Sequence, residues 1–159
     1  MTGPAAEPGK RPARGILDTS TVLLMQRITD PSALPAEPLI TTVTLAELSV
    51  GPLVANDERE RAARQAHLQQ AEADFVPLPF DRAAARAFGQ VAASLRRSGR
   101  KTPARAYDAM IAATALASDL PVFTSNPADF RGIDDLRVVA VSVPDSGEAP
   151  DTAAGRSQA

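Results

Sequence analysis

Gly15-Ile16-Leu17-Asp18-Thr19-Ser20 sets a short apolar run directly against three polar residues. Such a run reads as a buried strand that hands over to a helix at the Asp-Thr-Ser turn. Downstream, Thr19 to Arg27 reads as the start of that helix. Leu39-Ile40-Thr41-Thr42 reads as a second strand, followed by a helix through Val43, Leu45, Glu47 and Leu48. Residues Asp57 to Asp74 are charged, Ala-rich and free of Pro and Gly, which predicts a helix. Phe75-Val76-Pro77-Leu78 reads as a short strand whose proline suits a sheet edge. Asp81 is placed to cap a helix that stops at Gly99, and Pro103 to open another that runs to about Asp119. Pro121-Val122-Phe123-Thr124 and Leu136 to Val143 complete the strands, with a brief turn of helix at Pro127 to Phe130 between them. Strands separated by helices form β-α-β units, so the expected fold is α/β: a doubly wound, mostly parallel sheet of about five strands flanked by helices. Residues 15–143 are expected to fold as one unit. The Pro/Gly-rich ends, Met1 to Arg14 and Pro144 to Ala159, show no apolar period and are expected as disordered tails.

Composition narrows the chemistry. The chain has 159 residues, 17 Lys+Arg against 19 Asp+Glu (net −2), 44% hydrophobic residues, no Cys and a single His, His67. Disulfides, thiolate nucleophiles, Cys-held metals and two-His metal motifs are therefore excluded, and triad chemistry nearly so. No apolar run approaches the roughly 18 residues of a membrane span, and the first residues lack the apolar stretch of a secretory signal, so a cytoplasmic location is expected. Carboxylates, hydroxyls, Lys and Arg remain to do the work.

Most acids lie in polar runs and read as solvated. Asp18, Glu47, Asp108 and the Asn126/Asp129 pair do not. Asp18 stands at the tip of the first strand, where open α/β sheets bind ligands, although capping the next helix accounts for it equally simply. Glu47 shares a helical face with Val43 and Val50, where a boundary glutamate with a snorkelling side chain also accounts for it; Asp108 shares one with Ile111, Ala112 and Ala115. An unpaired carboxylate among such residues is costly and calls for a cationic partner. Asn126 and Asp129 occupy the turn after Thr124, where they also suit ordinary turn and cap positions. All four points fall on one rim of the sheet. Two carboxylates about 4 Å apart repel by about 4 kcal/mol at an effective dielectric of 20, so several cannot gather without compensation. A divalent cation supplies it, and an oxygen-only ligand set selects Mg²⁺, with Mn²⁺ as substitute. Such an ion keeps positions open for phosphate oxygens.

In four segments the chain resembles the PIN-domain ribonucleases, and more closely the VapC-type toxins of bacterial toxin-antitoxin pairs. These are Leu17-Asp18-Thr19-Ser20; Thr42 to Leu48 with Gly51; Tyr107 to Ala113; and Thr124-Ser125-Asn126 with Asp129-Phe130. The resemblance covers Gly15 to Val143, which it casts as a PIN-like nuclease domain. It implies Mg²⁺- or Mn²⁺-dependent endonucleolytic cleavage of RNA by an activated water, leaving 5′-phosphate and 3′-hydroxyl ends. It also implies a homodimer neutralised by a VapB-like antitoxin within a larger complex. Asp18, Glu47 and Asp108 match the family's three acidic metal positions, and Asp129 the fourth acid of many VapC-type chains. Asn126 stands where other PIN domains carry Asp, and Ser125 where many relatives carry Arg. Thr19, Ser20, Thr124 and Asn126 are expected to orient the carboxylates or waters.

Substrate contact is expected from a basic stretch. Arg82 to Tyr107 contains seven basic residues and no acid, and Arg96, Arg97, Arg100, Lys101 and Arg105 crowd its end. They are expected to bind the RNA backbone, with Ser98 to Lys101 as a delivering loop. Two other readings compete. One is a PIN nuclease of RNA processing that has no antitoxin. The other is a receiver-like Mg²⁺-binding signalling module, which would need an acid pair on the first strand's tip and a Lys after a late strand; neither is present.

Overall fold

In the computed structural model of the chain, residues 10–102 and 105–144 are described. Strand β1 (Arg14–Leu17) leads through the cap residue Asp18 into helix α1 (Thr19–Leu24), which tightens into a 3₁₀ turn at Met25–Arg27. After a second 3₁₀ turn come β2 (Glu37–Leu39), α2 (Thr42–Leu53), α3 (Glu58–Asp74) and α4 (Arg82–Arg97). The chain continues with α5 (Ala106–Ala117), β3 (Val122–Thr124), a 3₁₀ turn at Pro127–Phe130 and β4 (Val138–Ala140).

All strand pairings are parallel, in the order β2-β1-β3-β4. The chain leaves β1 in one direction to reach β2 and lies on the other side of β1 when it returns as β3. The carboxyl ends of β1 and β3 thus flank the point where strand order reverses, the crevice that open α/β sheets use for ligands. Neighbouring residues on a strand face opposite sides of the sheet. Ile16 and Val122 accordingly join a core with α4 and α5, while Leu17 and Phe123 join another with Leu48 of α2 and Ala71 of α3. The double winding expected from the sequence is present.

Caps explain where elements begin and end. Asp18, Thr41, Asp57 and Asp81 each accept a backbone N–H at the start of α1, α2, α3 and α4, respectively. Gly99 terminates α4 with φ +76°, a conformation that favours glycine.

Four details depart from the sequence reading. The sheet has four strands among the described residues, not five. Phe75 to Leu78 makes only an isolated bridge, Leu78 to Thr41, because Pro77 and Pro79 have no N–H to extend a ladder. Strand β2 ends at Leu39, since Thr41 turns its hydroxyl to the Thr44 N–H and starts α2. Arg14, expected in a tail, opens β1 opposite Glu37, and Arg11 donates to the carbonyls of Leu34 and Pro35. The remainder of the expected tails, residues 1–9 and 145–159, lies outside the described residues, as does Pro103, and α5 is described from Ala106. No described helix is long and apolar enough to cross a membrane.

Gly15 marks the tightest point of the sheet. A Cβ there would lie 2.6 Å from Cδ2 of the buried Phe123 ring, which has no room to withdraw. Gly15→Ala is therefore expected to cost about 1–3 kcal/mol in urea unfolding, and an unchanged midpoint would show that the ring yields.

Candidate active site

The site grows from the end of β1. Asp18 is 2% exposed, yet its carboxylate is satisfied: Oδ1 accepts the Thr21 N–H (2.9 Å), and Oδ2 accepts the Thr124 hydroxyl (2.7 Å). Ser20 Oγ lies 2.9–3.0 Å from both oxygens and 2.8 Å from Ser125 Oγ. Capping and the strand-tip position are thus one arrangement, not alternatives. Thr124, at the end of β3, also accepts the Asn126 N–H at 3.0 Å, which ties the turn carrying Asp129 to the same network.

Glu47 is reached from the opposite direction. Thr19 Oγ1 donates to its Oε1 at 2.7 Å and lies 3.1 Å from Thr44 Oγ1, linking α1 to α2. Glu47 is half-buried at the border of the apolar stripe, with Val43 buried below it and Val50 turned out to solvent. Burial, opposed by the Thr19 hydrogen bond and joined by the charge of Asp18, raises its pKa above the usual glutamate value.

Asp108 sits in the first turn of α5, on the face that buries Ile111, Ala112 and Ala115. Burial is the main reason its pKa rises to about 6, and the charges of Asp129, Glu47 and Asp18 add to it, while Arg105 opposes. The other three acids are therefore all felt at Asp108, although they come from the end of β1, from α2 and from the turn after β3. The Asp108 carboxylate accepts no hydrogen bond among the described residues.

Asp129 is held differently. Its Oδ1 accepts Arg105 Nη1 at 2.8 Å and its Oδ2 accepts Asn126 Nδ2 at 2.9 Å. The compensation between these acids is thus shared among hydroxyls, N–H groups and one guanidinium, not left to a bound ion alone. Among the described residues, no group of three or more Asp, Glu or His side chains is placed to hold a metal ion. A six-coordinate Mg²⁺ keeps several waters and needs one or two carboxylates, and the open oxygens of Asp108 and Glu47 meet that requirement with hard donors. The residues therefore fit such an ion.

The basic stretch is only partly free. Arg97 pairs with Asp134, Arg100 Nη1 donates to the Ala128 carbonyl at 2.9 Å, and Arg105 holds Asp129. Three of the five residues expected to bind RNA thus secure the loop that carries Asp129. Arg96 and Lys101 have no ion-pair or hydrogen-bond partner among the described residues. They line an open groove of about 600 Å³ with Ala92, Ala93, Arg100 and Thr102. Sequence reading missed Thr21, whose buried hydroxyl donates to the Phe123 carbonyl and accepts the Ser125 N–H. It also missed Thr44; a hydroxyl-rich run after each strand was the available signal. His67, read as an ordinary surface residue, lines a groove with Thr19 and Glu47.

The chain is similar to known proteins over most of its length. The PIN domain family matches residues 8–136. Ribonuclease VapC5 of Mycobacterium tuberculosis is 39% identical over 132 residues, which is 82% of this chain and 95% of that protein. Ribonuclease VapC of Rickettsia bellii is 27% identical over 133 residues, 82% of this chain and 98% of its own. Among solved structures, the M. tuberculosis VapBC-5 toxin-antitoxin structure superposes with a TM-score of 0.70 at 39% identity, over 82% of this chain and 100% of that one. DNA-bound VapBC from Salmonella typhimurium does so at 0.61 and 27%, over 79% and 96%.

The raised pKa of Asp108 has a consequence for stability. A carboxyl that binds its proton more tightly folded than unfolded stabilises the fold at low pH, and that contribution fades as pH rises from about 3.8 through about 6. In EDTA at pH 7, Asp108→Asn should therefore raise Tm by a few degrees and leave it unchanged near pH 3.5. A lower Tm at pH 7 would contradict the electrostatic strain.

Proposed function

This chain belongs to the PIN-domain family, in its VapC branch, and on that premise we propose that it is a Mg²⁺-dependent endoribonuclease, the toxin of a type II toxin-antitoxin pair. The observation that carries the reading is the meeting of Asp18, Glu47, Asp108 and Asp129 at the crevice between β1 and β3, with each of the other three raising the pKa of Asp108. Four acids gathered at a switch point oppose binding of a polyanion unless a cation mediates it.

Asp108 and Glu47 would hold the ion through their open oxygens, with Asp18 behind them as a fixed negative charge. When bound, a divalent cation supplies an acidified water and stabilises the charge that develops on the scissile phosphate. The chain's own part is positional. Thr124, Ser20 and the Thr21 N–H fix Asp18, and Thr19 aims Glu47. Asp108 itself is half-buried, on the face of α5 that carries the buried Ile111 and Ala112. Arg96 and Lys101, free on the groove past α4, would grip the backbone of the RNA, while the single Tyr and five Phe leave little for base stacking.

Partner surfaces support the toxin reading. Leu53 and Val54 are 83% and 60% exposed, and Val50 and Leu23 stand out nearby. An apolar face of this kind suits a VapB-like antitoxin or a second copy of the chain. The solved relatives are themselves toxin-antitoxin assemblies.

Asp108→Asn and Glu47→Gln should each slow RNA cleavage by roughly 100-fold or more, EDTA should abolish it, and the cut ends should carry 5′-phosphate. Full activity in EDTA would refute the metal-dependent reading. Separately, Arg96→Ala with Lys101→Ala should weaken binding to a non-cleavable RNA and lower the salt slope by about 1–2. An unchanged slope would return both residues to mere solvent exposure.

A further inference from the structure

Of the four acids, Asp129 alone is paired with a cation among the described residues. Both of its oxygens are occupied, one by the Arg105 guanidinium (2.8 Å) and one by the Asn126 amide (2.9 Å). Arg105 and Asp129 are only 31% and 29% exposed, so water screens the pair incompletely. The loop beneath them is pinned twice more, by Arg100 on the Ala128 carbonyl and by Gly132 against Ser98. At Gly132 φ is +87° and any Cβ would collide with the serine.

These contacts bear on how many ions the site can hold. Catalytic two-metal sites set their ions about 3.5–4 Å apart and require carboxylate oxygens for both. Here the acid on the Arg105 side has its charge balanced by a guanidinium and already accepts a hydrogen bond on each oxygen, and Asn126 presents an N–H₂ where an acid would present another ligand. Arginine stays protonated at every physiological pH, so its hold on Asp129 does not lapse.

We propose that Arg105 acts as an internal counter-cation that takes the place of a second divalent ion, so that the resting site accepts one ion, on the side of Asp108, Glu47 and Asp18. Arg105 is then a positioning residue: it fixes Asp129 and sets the ion count, and it touches RNA only secondarily. The inference rests on the metal-dependent reading above.

Mn²⁺ titration of the purified full-length chain, followed by calorimetry and by the electron paramagnetic resonance of free Mn²⁺, tests it without any activity assay. Wild type should bind one ion. Arg105→Gln should bind two, and the pair Arg105→Gln with Asp129→Asn should return to one. Asp129→Asn alone should still bind one ion, more weakly than wild type because a negative charge felt at Asp108 is lost and Arg105 is left unpaired beside the site. Thermal melts establish that each variant is folded, and should Arg105→Gln not fold, Asp129→Asn decides alone. Two ions on wild type, one ion on folded Arg105→Gln, or no ion on folded Asp129→Asn would each overturn the inference and leave the nuclease reading standing. No binding to any of the proteins would overturn both.

Discussion

A carboxylate buried to 2% exposure must find donors or unfold what buries it, and Asp18 finds them on two elements at once. The Thr21 N–H comes from α1, Ser20 from its first turn, and the Thr124 hydroxyl from the end of β3. The same carboxylate therefore starts a helix, fastens two parallel strands at their carboxyl ends and fixes a negative charge at the switch point of the sheet. From it the network spreads in both directions. Thr124 carries it to Asn126, and through that turn to Asp129, while Thr19, beside Asp18, carries it to Glu47.

The four acids are compensated to different degrees, and the gradient has chemical meaning. Asp18 is saturated by neutral donors, Asp129 by a guanidinium and an amide, and Glu47 by one hydroxyl on one oxygen; Asp108 accepts nothing among the described residues. The two acids left open are also those whose pKa values are raised. Strain concentrated on side chains with free oxygens is what an incoming hard cation relieves. On the metal reading proposed above, relief of that repulsion would contribute to the ion's affinity.

Local physics was legible in the chain, and long-range pairing was not. Asp57, Asp81 and Gly99 mark helix ends because caps and a positive φ are properties of a few adjacent residues. The acids of the site were visible because charge within apolar sequence is rare. Phe75 to Leu78 misled because apolar character alone does not say whether neighbouring prolines leave enough N–H groups for a ladder. Val50 misled because a helical face can end at the surface one turn beyond its buried part. The basic residues were read as one patch since six arginines and Lys101 cannot be told apart by sequence; whether each meets solvent, a carbonyl or an acid depends on a loop some 30 residues away. The match of the PIN family to residues 8–136 covers the part of the chain where these local signals agree with the fold.

Anomalous diffraction from crystals of the full chain soaked in Mn²⁺ addresses the central claim most directly. The account predicts a peak in the crevice between β1 and β3, bonded to Asp108 and Glu47 directly or through water, with Arg105 still seated on Asp129. A peak remote from all four acids, or none at saturating Mn²⁺, would contradict it.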